Sequence, residues 1–291
     1  MSILSQLKNA ALGKTLSFPP GHFHSPICNP AELRPRYRDP LTSIGRVDLP
    51  GIDLNIRGQT ERLMRWGPTV RNIQRFPKIP QPDLRYYSGN SQYARGDAIS
   101  LYCFMRELRP RKIIEIGSGF SSACMLDSAN SLDLEIAFTF IDPSSDRLNA
   151  LLKPGDHQRA AILRVPVQDV PLATFHALES GDILFIDSTH VLKTCSDVEF
   201  ELFCILPRLK PGVFIHFHDI FYPFEYPPQW VLVWNYSWNE AYALRALLMY
   251  QNRFRIEFWS HYLAIAHKDD DVVQQCAPVF EDASNFWLRK V

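Results

Sequence analysis

Lys112-Ile-Ile-Glu-Ile-Gly-Ser-Gly-Phe-Ser-Ser122 is the stretch whose reading decides the fold. Ile113, Ile114 and Ile116 form a short β-branched run suited to a strand buried on both faces. Gly117-Ser118-Gly119 breaks that run, and the segment from Phe120 can begin a helix with Ser121 or Ser122 near its cap. Strand, glycine turn and helix start in this order describe a nucleotide-cofactor site in an open α/β sheet.

Glu115 separates two cofactor classes. A dinucleotide fingerprint reads GxGxxG, whereas Ser122 stands where the third glycine would be. A pyrophosphate gains nothing from a carboxylate two residues before the turn, but the ammonium and sulfonium of S-adenosylmethionine do. Glu115-x-Gly117-x-Gly119 therefore resembles the first motif of the class I S-adenosylmethionine-dependent methyltransferases.

The chain of 291 residues is long enough for one elaborated domain with an appended arm. An apolar fraction of 46% and a charged fraction of 21% fit an ordinary globular protein. No apolar run reaches transmembrane length, and residues 1–15 lack a secretory pattern, so the expectation is a cytoplasmic protein. Six cysteines without CxxC spacing read as reduced thiols. Residues 1–112 carry 18 Lys or Arg against 8 Asp or Glu, and the rest carry 13 against 23. A basic N-terminal part packing on an acidic body accounts for this, as does attraction of an anionic substrate. No basic run with interleaved aromatics points to nucleic acid.

Proline density from Ser17 to Pro50 predicts an extended arm without helix. Residues 1–84 are taken as this arm plus a helical extension over 54–76, interrupted at Gly67-Pro68, and residues 85–291 as the main domain. Tyr93–Leu108 predicts a helix, with Tyr93 and Asp97 near the cofactor. Further strands are expected at 136–142, 160–167, 182–187 and 213–218. A terminal hairpin of 254–258 with 262–266 completes a seven-stranded, mostly parallel Rossmann-like sheet with one reversed edge strand and helices on both faces. Asp142, 23 positions beyond Gly119, ends the second strand, where a carboxylate accepts ribose hydroxyls.

Gly96-Asp97-Ala98, Leu101-Tyr102, Glu115–Ser122 and His216–Phe221 together resemble a bacterial small-molecule branch of these methyltransferases (methyltransferase family 24-like). Pro20–Pro26 resembles a signature of the same branch, departing at His24, where tyrosine is expected. The resemblance implies that Glu115, Gly117, Ser118, Gly119, Ser122, Asp142, Pro143, Asp169 and Asp187 hold the cofactor, with Asp169 at the adenine edge. It also implies an acceptor site like that of the catechol-type O-methyltransferases, with Asp187, His218 and Asp219 around a divalent metal. Histidine in place of an oxygen ligand disfavours Mg²⁺ and suits Mn²⁺, Fe²⁺ or Zn²⁺. His190 falls where those enzymes place a basic side chain, and an imidazole with an ordinary pKa of about 6.5 suits a general base. Catalytic roles are thus expected for His190, Asp187 and His218, with Tyr222, Tyr226, Trp230 and Trp238 as an aromatic wall.

The reading is methyl transfer to a hydroxyl or carboxylate oxygen of a small molecule, without nucleic acid or membrane and compatible with a homodimer. Alternatives are N-methylation of a small metabolite, an NAD-dependent oxidoreductase and a non-catalytic S-adenosylmethionine-binding partner. Glu115, the missing third glycine and the expected hairpin weigh against the oxidoreductase.

Overall fold

The computed structural model describes residues 18–35, 37, 48–73 and 75–291; Pro40 of the proline-dense segment lies outside them. Seven strands form one sheet in the order β3-β2-β1-β4-β5-β7-β6. They are β1 (Lys112–Ile116), β2 (Ala137–Ile141), β3 (Ala160–Leu163), β4 (Ile183–Ile186), β5 (Phe214–Phe217), β6 (Phe254–Trp259) and β7 (Phe286–Lys290). The first five pair in parallel, and β7 pairs antiparallel with both β5 and β6. All four residues of β4 and of β5 are buried, as a parallel strand covered on both faces requires.

Register fixes what meets at the carboxyl edge. Ile116 lies opposite both Ile141 and Ile186, and Ile186 lies opposite Phe217. The ladder runs one bond further: Gly117 N donates to Ile141 O, Asp187 N to Ile116 O and His218 N to Ile186 O, at 2.9, 2.9 and 3.0 Å. Gly117, Asp142, Asp187 and His218 therefore emerge side by side.

The terminal pair differs from the expected hairpin. Residues 260–266 are a helix, with Tyr262 and Leu263 buried, because a short apolar run is ambiguous in period and Leu and Ala favour helix. The partner of β6 is β7, reached after two helices and a 3₁₀ turn, and the reversed strand lies inside the sheet rather than at its edge. The third strand stops at Leu163. The helix Ile56–Asn72 runs straight through Gly67-Pro68, because Leu63, Trp66 and Val70 are buried on one face. Trp66 packs 5.0 Å from the rings of both Phe104 and Phe258, so tertiary burial outweighs the local penalty. Among its described residues the proline-dense arm holds one short helix, Pro30–Leu33, started by the Asn29 side chain accepting from Ala31 N. All six cysteines are free thiols; Cys103, Cys124 and Cys276 are buried. No helix among the described residues is long and apolar enough to cross a membrane.

Arg85 pins the loop before the helix Arg95–Leu108. Its guanidinium reaches Asp127 at 2.7 Å and Asp156 at 2.8 and 2.5 Å, and all three side chains are buried. Burial alone would raise the Asp156 carboxyl, but bonds from Arg85 and the Lys153 backbone hold it below its ordinary value. A carboxylate depressed in the folded state stabilises above its unfolded pKa and loses that contribution as the pH falls. Arg85→Met, which strands two buried carboxylates, is expected to cost about 3–5 kcal/mol at pH 7. The deficit should shrink as the pH approaches about 4, where carboxyls protonate. Urea denaturation at both pH values checks this; equal deficits would contradict it.

Candidate functional site

A cavity of about 450 Å³ opens at the carboxyl ends of β1, β2 and β4. Gly117, Asp142, Pro143 and Asp187 line it from the strand ends, and Gln168, Thr189 and Lys193 from the loops. Gly117 has φ +80°, and a Cβ there would stand 1.9 Å from the Asp187 carbonyl oxygen, so only glycine lets the two strand ends approach. Asp142 accepts from Ser118 N at 3.0 Å and Ser144 N at 2.7 Å, which fixes the carboxylate at the rim. The Ser118 hydroxyl in the same turn is buried and has no partner, a polar group left over for a ligand.

Glu115 acts from behind the cavity rather than within it. It is fully buried, and its carboxylate accepts from Ser121 Oγ at 2.5 Å and from Ser122 Oγ. Ser122 Oγ in turn accepts from Gly119 N at 3.0 Å. Burial pushes the Glu115 carboxyl up to about 8, against the pull of the two serines. Glu115 thus ties strand end, glycine turn and helix start together. Asp169 lies exposed in the 3₁₀ turn beside the cavity, while its neighbours Val167 and Gln168 line the wall.

Next to the cavity, Asp187 meets a second group. Donor atoms of Asp187, His218 and Asp219 all lie within 4.8 Å of one another. His218 Nδ1 is 3.5 Å from both Asp187 Oδ1 and Asp219 Oδ1. His190 Nε2 stands 3.5 Å from Asp187 Oδ1 and 3.8 Å from Asp219 Oδ2. His190 and Asp219 both have φ +59°, a backbone state that costs a side-chain-bearing residue on the order of 1–3 kcal/mol and collects at functional sites.

The charges explain one another. Burial would lower His190, but the carboxylates of Asp187 and Glu240 raise it to about 10. Burial likewise opposes His218, which Asp219 and Asp187 nonetheless raise well above the usual imidazole value. Burial would raise Asp187, yet His218 and His190 hold it well below the ordinary carboxylate range. The carboxylates thus favour positive charge on both imidazoles. Two carboxylates and an imidazole around one point fit a divalent cation, which would supply that charge instead.

One buried acid escapes sequence reasoning, and Asp97 and Tyr93, expected near the cofactor, lie beside His218. Glu240, buried at a helix start, lies 2.8 Å from His190 Nδ1. Asp97 is buried 3.3 Å from His218 Nε2 and accepts from Ser284 N and Asn285 Nδ2 at 3.0 and 2.9 Å. Asp97 therefore serves the histidine cluster, while Tyr93 packs its ring 5.4 Å from that of His218. No local spacing signals the 50 positions between His190 and Glu240; only the acidic residue opening an apolar helix was visible.

A second cavity of about 430 Å³ is walled by Tyr226, Trp230, Tyr236 and Trp238, and the Trp238 ring lies 4.4 Å from that of His190. Tyr222 is not on this wall; it is buried against Trp259 and Tyr262. The arm closes one side through Cys28 and Tyr37, with Cys28 N donating to Ser237 Oγ and Tyr37 Oη to the Tyr226 carbonyl. His22 and Phe23 stack, with the His24 ring tilted against both, outside the cavity.

A family model described as a methyltransferase domain matches residues 114–220. An uncharacterized protein of Archaeoglobus fulgidus is 35% identical over 171 residues, covering 57% of this chain and 76% of its own length. Among solved structures, the chain is similar to cmcI in a Mg-SAM form, with 16% identity, 90% of this chain and 96% of that chain covered, and a TM-score of 0.41. It is also similar to the SAH-bound Podospora anserina methyltransferase PaMTH1, with 14% identity, 95% and 100% covered, and a TM-score of 0.44. The O-methyltransferase TomG of Streptomyces achromogenes gives 14% identity, 79% and 89% covered, and a TM-score of 0.40.

Gly117→Ala should force β1 and β4 apart at the cavity floor. The expected outcome is a lowered melting temperature together with loss of S-adenosylhomocysteine binding; a variant that keeps both would show that the close approach is dispensable.

Proposed function

Because the chain belongs to the S-adenosylmethionine-dependent methyltransferase family, we propose that it methylates a hydroxyl oxygen of a small-molecule acceptor. The observation that carries the reading is Asp187, which lines the first cavity and belongs to the adjoining His–Asp cluster. One residue thereby joins a candidate cofactor site to a candidate acceptor site.

Bound in the first cavity, S-adenosylmethionine would supply a methyl group on a positively charged sulfur. Asp142 is suited to accept from ribose hydroxyls, and Val167 and Gln168 to border the adenine. The orphaned Ser118 hydroxyl is available to the cofactor's polar end. The carboxylate of Asp187, held ionised, favours a cationic sulfonium nearby.

The acceptor is read from the second cavity. Its walls are aromatic, and among the described residues no lysine, arginine or histidine lines it. Among those residues a carboxylate acceptor would find no cation, which favours a hydroxyl over an acid. Trp238 carries the ring-lined space up to His190. A divalent cation held by Asp187, His218 and Asp219 would supply Lewis-acid activation of the acceptor hydroxyl and orient it. The chain's own contribution is placement: aromatic walls exclude water and limit the poses an acceptor can take.

Calorimetric titration with S-adenosylhomocysteine in EDTA tests the cofactor assignment. Micromolar binding is expected, and Asp142→Ala, which removes a charged hydrogen-bond acceptor, should weaken it about 10–100-fold. Absence of binding to the wild-type protein, with NAD bound instead, would sink the reading.

A further inference from the structure

The rings of the second cavity are arranged, not merely gathered. Tyr226 and Trp230 are near parallel, at 25° with centroids 6.5 Å apart. Trp238 stands across both, at 79° to Tyr226 and 77° to Trp230, with centroids 5.8 and 5.2 Å away. The three planes are thus set as two walls and a cross-wall. Tyr242, at 82° to Tyr226 and 6.0 Å from it, turns a further corner.

One acid stands among these rings. Glu225 lines the cavity, and its Oε1 accepts from Tyr226 N at 2.8 Å and from Tyr242 Oη at 2.6 Å. Both bonds fall on one oxygen, which leaves Oε2 without a hydrogen bond among the described residues. No basic side chain among those residues lines the cavity to neutralise it. Indole and phenol rings are negative on their faces, so rings and carboxylate alike attract a cation and repel an anion. A neutral ligand would satisfy the rings and leave the carboxylate unpaired.

The walls are set before a ligand arrives. Besides the bond from its backbone N to Glu225, Tyr226 accepts at Oη from Ala241 N at 3.0 Å and at its carbonyl from Tyr37 Oη. Such preorganisation spares the cost of ordering side chains on binding. Trp238 gives the cavity a direction, because its ring packs 4.4 Å from that of His190 at the cluster end. A ligand that spans the cavity places its cationic end at Glu225 and its other end at the His–Asp cluster.

We propose that the acceptor is an amino alcohol, whose ammonium is held by Glu225 and the faces of Tyr226 and Trp230 while its hydroxyl reaches past Trp238 toward Asp187. The inference rests on the reading of this cavity as the acceptor site and adds the charge of the acceptor. In the reaction the methyl carbon passes from sulfur to the hydroxyl oxygen, the C–S electron pair stays on sulfur and the hydroxyl proton is released to water. The amine is left unmethylated.

Four probes on one scaffold test this without turnover: trans-4-aminocyclohexanol, and the same cyclohexanol with methyl, hydroxyl or carboxylate in place of the amine. Each is titrated calorimetrically at pH 7 into the full chain with S-adenosylhomocysteine present. The ammonium probe is expected to bind at least about 10-fold tighter than the methyl and hydroxyl probes, with the carboxylate weakest. Glu225→Gln keeps an acceptor for Tyr226 N and should weaken the ammonium probe about 10–100-fold while leaving the methyl probe unchanged. Trp230→Leu keeps apolar bulk without the ring face and should weaken the ammonium probe about 3–30-fold. Unchanged S-adenosylhomocysteine affinity shows that a variant is folded, and the two substitutions differ enough in bulk that one misfolded variant leaves the other to decide. A methyl or hydroxyl probe bound as tightly as the ammonium probe, or a preference for ammonium unaltered in folded Glu225→Gln, would overturn the proposal. No binding of the ammonium probe to a wild-type chain that binds S-adenosylhomocysteine would overturn it too and leave the methyltransferase reading standing. Failure of the wild-type chain to bind S-adenosylhomocysteine would overturn both.

Discussion

The register of β1 against β2 and β4, and of β4 against β5, is the constraint on which the rest depends. Parallel strands present their carboxyl ends to one edge, and here that edge is level: Ile116, Ile141, Ile186 and Phe217 share one rank. The next residue on each strand is Gly117, Asp142, Asp187 or His218. Slipping β4 by one residue would turn Asp187 to the opposite face and bury its neighbour's backbone against nothing. The strand interiors are nearly all aliphatic or aromatic, as burial on both faces requires.

The reversed strand β7 completes the edge from the opposite direction. Its first residue, Phe286, pairs with Phe217, so the residues before it arrive where β5 ends. Ser284 donates to Asp219 at 2.8 Å and through its backbone to Asp97, and Asn285 donates to Asp97 as well. A helix start, two parallel strand ends and the approach to an antiparallel strand thus share one hydrogen-bonded patch. The expected hairpin would have left that patch without Ser284 and Asn285.

Charge is handled differently on the two sides of Asp187. Glu115 has no cation near it and is accommodated by serine hydroxyls, with its carboxyl pushed up to about 8 by burial. Asp187 and Asp219 face imidazoles, which keep them ionised despite burial. A buried acid beside hydroxyls is a structural brace, and a buried acid beside two aimed imidazoles is chemistry held ready. Sequence alone gives both the same letter class.

Local pattern in the chain determined the central sheet, the glycine turn and the identity of Asp142, Asp187, His218 and Asp219 as strand-end residues. Apolar β-branched runs ending in glycine or acid have few other readings, and parallel strands send such ends to one side. The helix over Tyr262–Ala266, the place of β7 inside the sheet and the continuity of Ile56–Asn72 through Pro68 were decided by packing, because short apolar runs are ambiguous in period. Only the tertiary structure brought Glu240 and Asp97 behind the histidines, at separations of 50 and 121 positions. It also moved Glu115 from the cavity to its supporting wall. Strand ends are a property of local sequence; which buried acids oppose which imidazoles is a property of how distant elements close over them, since burial and partner, not residue type, set the charge each group carries.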